Sequence, residues 1–511
     1  MKSLPLENQG VLALFAKSKK RGLLSFSRNI SLQLLKFNKD LTIAKEVELA
    51  DLEREEAYID FIRINNHYYF IKQEYIKSDK SLLMQAVELD PKTMKLREAK
   101  TLATYDVSMD ENNRGFFGSS KDGFAYKVDL VISPDSTTFG LFYIPSVKRK
   151  ENVTAQYIVM DENLKKLQSN EYDFGVTEKK MEINTILIDK KGTAYFNYDV
   201  YDDKDSKSFK RVNGEKVPAY SSHLLIMENK KKTDIILDNE NRFIKKITLG
   251  EDVRGNVSVF AFYKNFYRGN YAGVCRASLQ ELTTTKTSLP FRFFDFPQDI
   301  LDKVDNDRQA KNNGDNKGID TEFEFRTVVR NADNDFHLIM EYDRLQVITT
   351  VVNGHTQTTY RRYYGDIIVA TLHKDDVVFT RLPKMQESAY GANSGDFLLS
   401  GGRKQFVYSY DAVVYRDKLL LFYNDDEDNV TRDLAKRPDD MIKVKKSAFS
   451  CATFNRKGEL EKREIVFSHR DMDGYMTSST LYQVTENTWS LFALNLGFFK
   501  YGTKIGKLTI K

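Results

Sequence analysis

Cysteine is almost missing from this chain: Cys275 and Cys451 are the only two in 511 residues. Their wide separation excludes a disulfide framework and any Cys-x-x-Cys metal or redox spacing, and leaves one long-range bridge as the sole covalent option. Proline occurs nine times and Trp once, so no proline-rich linker divides the chain. Neither sign of charge prevails. With 78 Lys+Arg against 73 Asp+Glu the formal balance is +5, which supplies no field that would favour nucleic acid or an anionic membrane. The composition is too polar for a bilayer-spanning chain. An export signal places positive charge before a long apolar core, whereas here Val11–Ala16 precede Lys17, Lys19, Lys20 and Arg21. The start of the chain therefore does not read as such a signal.

What the chain has instead is aromatic surplus, 34 Phe and 28 Tyr, within 41% hydrophobic residues. That is enough to bury a large core and excludes disorder as a global state. Apolar and polar residues alternate over five to eight positions throughout, and helix-period stretches are scarce, so the chain reads as all-β. Strand pairs recur around turn residues at Asn65-Asn66, Ser133–Ser136, Asp189–Gly192, Arg254–Asn256, Arg330–Asp333, Arg416–Lys418 and Thr485–Asn487. A second pair follows most of them, turning at Asp90–Lys92, Asp161–Asn163, Glu228–Lys230, His373–Asp376 and Asn455–Gly458. One orphan pair around Asn38–Asp40 precedes the first unit, and only Tyr501–Lys511 follows the last. Incomplete units at both ends fit a closed ring that leaves no sheet edge exposed. The expected fold is one β-propeller domain over 1–511, of four-stranded antiparallel blades, with seven as the expected count and the last blade shared between the termini. Dividing 511 by 7 allows 73 residues per blade, above the ~40–50 of compact propeller repeats, so insertions must take up the surplus. The stretch 302–320, almost without apolar residues, is expected to be a mobile loop, and 425–446 a surface loop. The stretch 345–364, around Asn353-Gly354, is expected to project as a hairpin.

These units resemble a family of uncharacterised β-propeller-like proteins of Bacteroidota. The resemblance is carried by Ile132–Asp135, Tyr157–Asp161, Ile188–Gly192, Asp366–Val369, Leu382–Gln386 and Leu420–Asp425. It covers most of the chain from about Phe61 onward, and its marks are structural punctuation. It implies a periplasmic or extracellular setting, and for some members a role beside secretion or surface-protein machinery.

Little in the chain spells out chemistry. The six histidines, His67, His223, His337, His355, His373 and His469, show no His-x-His or His-Glu-x-x-His spacing, so packed or surface roles are expected. Acidic clusters supply fragments of a calcium loop without the closing Glu; Asp471 and Asp473 are the metal candidates, because Gly474 permits a sharp turn. Calcium is thus the one cofactor considered. The sialidase-type Asp box and the Trp-Asp dipeptide do not occur, and a double glycine appears once, at Gly401-Gly402. The basic run Lys17–Arg21 reads as solvated, and Gly115–Gly118 lacks the following Lys of a phosphate loop. The candidate binding residues are Tyr360, Arg361, Arg362, Tyr363 and Tyr364, because Tyr and Arg are favoured interface anchors and these follow the expected hairpin. The leading expectation is a non-catalytic propeller that binds a protein partner. The competing one is a glycan hydrolase, lyase or lectin that uses the central channel, where carboxylates from different strands could converge.

Overall fold

A strand with one face buried alternates apolar and polar residues, but a strand sandwiched between two sheets is apolar on both faces. The second strands of this protein are of the latter kind: Thr138–Tyr143 and Val257–Tyr263 are buried at every position. The computed structural model of the 511-residue chain describes residues 2–6, 10–19, 29–49, 56–107, 128–145, 151–202, 208–229, 231–282, 288–305, 308–331, 335–352, 355–373, 376–391, 408–441, 446–472, 475–476, 481–496 and 501–510. It is a β-propeller of consecutive sheets, antiparallel but for Ser288–Pro290, which adds parallel to Lys231–Asp238 at the edge of sheet four.

Sheet one comprises Lys2–Pro5, Val11–Lys19, Asn29–Phe37 and Ile43–Leu49. Sheets two to seven repeat that order, from Glu56–Ile64 in sheet two to Leu460–Ser468 in sheet seven. In sheet eight, Thr488–Leu496 pairs with Tyr501–Thr509 on one side and with Tyr475–Met476 and Tyr482–Thr485 on the other. Eight such sheets are present among the described residues, where the sequence led us to expect seven with a blade shared between the ends. The difference lies at the N-terminus. Val11–Lys19 is a strand whose polar half, from Lys17, resembles a solvated leader, and Lys2–Pro5 pairs with it and not with the last sheet.

A separate apolar cluster fills each seam. Tyr68 and Phe70 face sheet one, whereas Tyr69 and Ile71, their neighbours on the same strand, face sheet three. Val259, Ala261 and Tyr263 pack toward sheet four, Phe260 and Phe262 toward sheet six. This double-sided burial explains the Phe and Tyr surplus. The ring closes where Val11, Ala13 and Phe37 of sheet one meet Phe492 of sheet eight, with Phe15 edge-on to Phe492 at 5.8 Å. Removing a ring from such a seam, as in Phe262→Ala, costs about 3–5 kcal/mol.

The first strands touch from sheet to sheet, Met181–Ile188 with Phe243–Glu251 and the latter with Phe323–Arg330, and so line the central channel. Antiparallel order then divides the connections between two rims. Turns from first to second and from third to fourth strand lie on one, and these are short except in sheet five, where residues 279–291 intervene and Ser288–Pro290 adds to the edge of sheet four. Connections from second to third strand and from sheet to sheet lie on the other, which carries the insertions. The insertion rim holds the hairpin Phe209–Val212/Glu215–Pro218 and the helix Gln298–Asp305. It also holds the long ribbon Phe336–Val352/His355–His373 and the segment Glu427–Met441. Residues 302–320 do not form the featureless loop expected. Ile300, Leu301 and Val304 of the helix, with Ala310 and Ile319, are buried in the seam between sheets five and six. Ile300, Leu301 and Val304 sit at helical spacing and Ala310 and Ile319 singly within a polar run, which masks them in a compositional reading.

Cys275 and Cys451 are both free and buried, in different seams, so the one conceivable bridge is absent. Burial raises both thiols above their usual range, Cys451 to about 12, which makes them inert packing groups.

Candidate functional site

The densest polar chemistry lies on the insertion rim at the seam between sheets six and seven. A register shift between Phe325 and Thr327 marks a bulge at Arg326, and Arg326 reaches both Glu341, at 3.2 Å, and Asp343. Bulges are the usual device for re-aiming one side chain out of a ladder. From the neighbouring strand Arg362 donates twice to Asp343, at 2.7 and 2.6 Å. Lys384, fully buried, donates to Glu341 Oε1 at 2.5 Å and to Gln386 Oε1 at 3.0 Å. Asp366 accepts Arg381 Nε at 2.6 Å, and Ser409 Oγ donates to Glu341 Oε2 at 2.5 Å. Gly365 admits this crowding: a Cβ there would stand 2.9 Å from both Gln309 and the Tyr342 ring.

Tyr364 sits among three cations, with Arg362, Arg326 and Lys384 at 5.2, 5.8 and 5.8 Å from its ring, and it stacks on Tyr408 at 5.7 Å. Burial raises its hydroxyl to about 12. Burial opposes ionisation of Asp343, but the hydrogen bonds and charges of Arg362 and Arg326 outweigh it and hold the carboxyl below the usual range. The segment Glu427–Met441 closes over the seam: Arg381 Nη1 donates to Leu434 O at 2.8 Å, and Met441 N to Met385 O at 3.1 Å. Beneath it, burial pushes Asp425 up to about 7 despite hydrogen bonds from Asn429 Nδ2 at 2.8 Å and Asp426 N at 2.9 Å. The stretch 425–446, expected as a surface loop, is in its described part a strap over this network.

The candidate binding residues occupy one strand but do not act as one patch. Tyr360, Arg362 and Tyr364 share a face by strand alternation, and Arg362 and Tyr364 are committed to the buried network. Arg361 and Tyr363 point the other way, toward Glu387 at 3.7 Å and Gln346 at 3.4 Å. The expected hairpin is a ribbon paired out to Val352 and His355, with Gln386–Gly391 as a third strand; Asn353 and Gly354 lie outside the described residues. Beyond the sheet, Leu345, Val347 and Val351 are 51%, 54% and 71% exposed.

Of the metal candidates, Asp471 is exposed at the end of the short helix His469–Met472, and Asp473 and Gly474 lie outside the described residues. Among the described residues Asp426, Asp428 and Asp439 bring carboxylate oxygens within 4.8 Å of one another. Arg432 already pairs with Asp439, and Asp428 N with Asp426 at 3.1 Å. Among the described histidine side chains, His67 meets Glu88 at 2.9 Å, His373 meets Asp335 at 2.7 Å, and buried His469 meets Ser447 at 2.8 Å. Burial lowers His337 and His469 to about 4, so both are neutral.

Sequence reasoning missed the network. Its signal was charge inside apolar runs: Glu341 and Asp343 after Leu338–Met340, Asp366 before Ile367–Val369, and Lys384 after Leu382-Pro383. Three stretches that carried the family resemblance, Asp366–Val369, Leu382–Gln386 and Leu420–Asp425, meet here.

No family model matches the chain, and no curated protein matches it. Among solved structures it is similar to the WD40 domain of SCAP from fission yeast, at 10% identity and a TM-score of 0.34, covering 96% of this chain and 92% of that one. It is similar to the β-propeller domain of the Trilobed protease from Pyrococcus furiosus, at 9% identity and a TM-score of 0.32, covering 92% and 96%. A Synechocystis apocarotenoid oxygenase mutant aligns at 10% identity and a TM-score of 0.31, covering 75% and 71%. The fold assignment rests on the sheet succession and its seams.

Proposed function

We propose that the protein is a binding propeller without chemistry of its own, which engages a protein partner in the bacterial cell envelope through its insertion rim. The observation that carries this reading is the ribbon of sheet six, which extends past its sheet and bares Leu345, Val347 and Val351 along one strand. Apolar residues exposed in a row are unusual on a solvated surface and are typical of interaction sites. The buried ion pairs at the ribbon's base give it a stiff root, which lowers the ordering cost of association. The cell-envelope setting rests on the family resemblance.

The test is affinity capture from the native cells with the unaltered chain and with Val347→Asp, together with cell fractionation. A stoichiometric envelope partner that is retained by the unaltered chain and lost by the variant supports the reading. A partner held equally by both, or no partner at all, overturns it.

A further inference from the structure

The channel mouth on the insertion rim has chemistry that a protein-binding ribbon does not use. Where the first strands of sheets four, five and six meet, a cavity of about 460 Å³ is lined by Glu182, Asn184, Asp199, Lys245, Lys246 and Glu324, with Phe325 on one wall. A second cavity of about 600 Å³ lies toward sheet three and shares Ile183 and Asn184 with the first. Volumes of roughly 300–1,000 Å³ are those of small-molecule sites.

Irregularities in the ladders present these side chains. The register skips Asn184 between Ile183 and Thr185, and slips again between Lys245 and Thr248, where Lys246 takes a φ of 54°. A left-handed, non-glycine residue in mid-strand is uncommon, and strain of this kind concentrates at functional sites. Glu182 and Asn184 are exposed to the channel. Their supports are fixed: Tyr201 donates to Glu182 at 2.8 Å, Ser222 to Asp199 at 2.5 Å, and Lys246 to Glu324 at 2.5 Å. Asn184 Nδ2 donates to Asn197 Oδ1 at 3.0 Å, and Lys245 lies 5.1 Å from the Tyr220 ring centroid.

We infer that this channel mouth is a binding site for a neutral polyhydroxylated ligand of disaccharide size. A hydroxyl both donates and accepts, so it is matched by alternating ammonium, amide and carboxylate groups. Three carboxylates against two ammonium groups leave the site with little net charge, which favours neither an anion nor a cation. Burial raises Asp199 to about 6, so the balance moves nearer to zero as pH falls through 6. The half-buried Phe325 ring offers an apolar wall, and the shared Asn184 lets one ligand span both cavities. This site goes beyond the protein-binding reading and does not depend on it.

The test is saturation-transfer NMR and calorimetry on the full chain with maltose, cellobiose and chitobiose as probes. At least one is expected to bind saturably with a Kd of about 1 mM, and Glu182→Ala and Asn184→Ala should each weaken it about tenfold or more. Each variant also removes one hydrogen bond, to Tyr201 or to Asn197, so the thermal midpoint is measured alongside and should fall only slightly. Val347→Asp should leave the affinity unchanged, which separates this site from the ribbon. Failure of all three sugars to saturate, or unaltered affinity in both channel variants, overturns the inference.

Discussion

The two rims of the ring solve the same problem, reversing the chain, in different ways. On the turn rim one device recurs. Asp161, Asp189, Asp252 and Asn455 each accept backbone N–H groups from the residues two and four ahead, at 2.8–3.0 Å. Positive φ follows at the third residue, 84° at Gly192 and 87° at Gly255, where glycine carries no Cβ penalty. On the insertion rim the described connections include a hairpin, a helix, a ribbon and a strap, and sheet six there buries Glu341, Asp366, Arg381 and Lys384. The turn rim is a repeated local solution written in a few consecutive residues. The insertion rim depends on residues 15 or more positions apart, from Arg326 and Glu341 at a separation of 15 to Lys384 and Glu341 at 43. Local solutions tolerate one loss each, whereas a coupled network fails as a unit.

The largest expected effect follows from that coupling. Lys384→Met takes the closest cation from buried Glu341, leaving it only the longer contact to Arg326 at 3.2 Å, and is expected to destabilise by about 3–5 kcal/mol, because a buried ion pair is broken from one side. Lys384→Met combined with Glu341→Gln should be less destabilised than Lys384→Met alone, since both charges are then gone. Urea denaturation measures both, and a double variant no better than the single one would break the claim of coupling.

The turn rim should respond less, and additively. Asp189→Ala removes hydrogen bonds to the N–H groups of Lys191 and Thr193 and one from the Tyr195 hydroxyl, at an expected cost of about 1–3 kcal/mol. Asp161→Ala does the same two sheet strands away in sheet three. The losses in the double variant should sum to within about 0.5 kcal/mol, as for independent sites. Clear non-additivity would mean that neighbouring turns communicate.

This contrast also governs how much was legible in the sequence. The turn residues Asp161, Asp189, Arg254–Asn256 and Asn455–Gly458 were readable because each device fits within five residues and recurs. The all-β ring followed from them. The strand Val11–Lys19 was missed because its charged end masks a buried start, and without it the count stopped at seven. The network was hidden because its members come from five separate stretches, and a charge beside an apolar run, as at Lys384, does not say which group it meets. The channel cavity was hidden for the same reason: Glu182 and Glu324 become neighbours of one cavity only when the ring closes.

A pH titration of stability sharpens the comparison, because each rim holds a group that titrates in the opposite sense. Asp425, on the insertion rim, rises from 3.8 to about 7 through burial. Between those values the folded chain holds a proton that the unfolded chain has released, so its contribution is full below about pH 4 and is lost as pH rises to 7. His337 lies two residues past Asp335 on the turn rim, bonded to Thr371 at 2.8 Å, and burial lowers it from 6.5 to about 4. Its contribution is full above pH 6.5 and is lost as pH falls toward 4. Asp199 shares the direction of Asp425, and His469 that of His337. Asp425→Asn should therefore make stability climb more steeply with pH between 4 and 6.5, and His337→Gln should make it climb less steeply. Chemical denaturation at three pH values measures this, and parallel profiles for both variants would refute the assignment.

The smallest expected effect on stability belongs to the ribbon. Val347 and Val351 are mostly exposed, so Val347→Asp should change the unfolding free energy by no more than about 0.5 kcal/mol. Its partner across the strand pair, Tyr360, keeps its backbone bonds whatever side chain faces it. A ribbon that loses its partner while the ring stays as stable as before separates recognition from folding on the same rim. If Val347→Asp instead destabilised the chain by more than about 1 kcal/mol, the apolar strip would be part of the core, and its exposure would no longer argue for a partner.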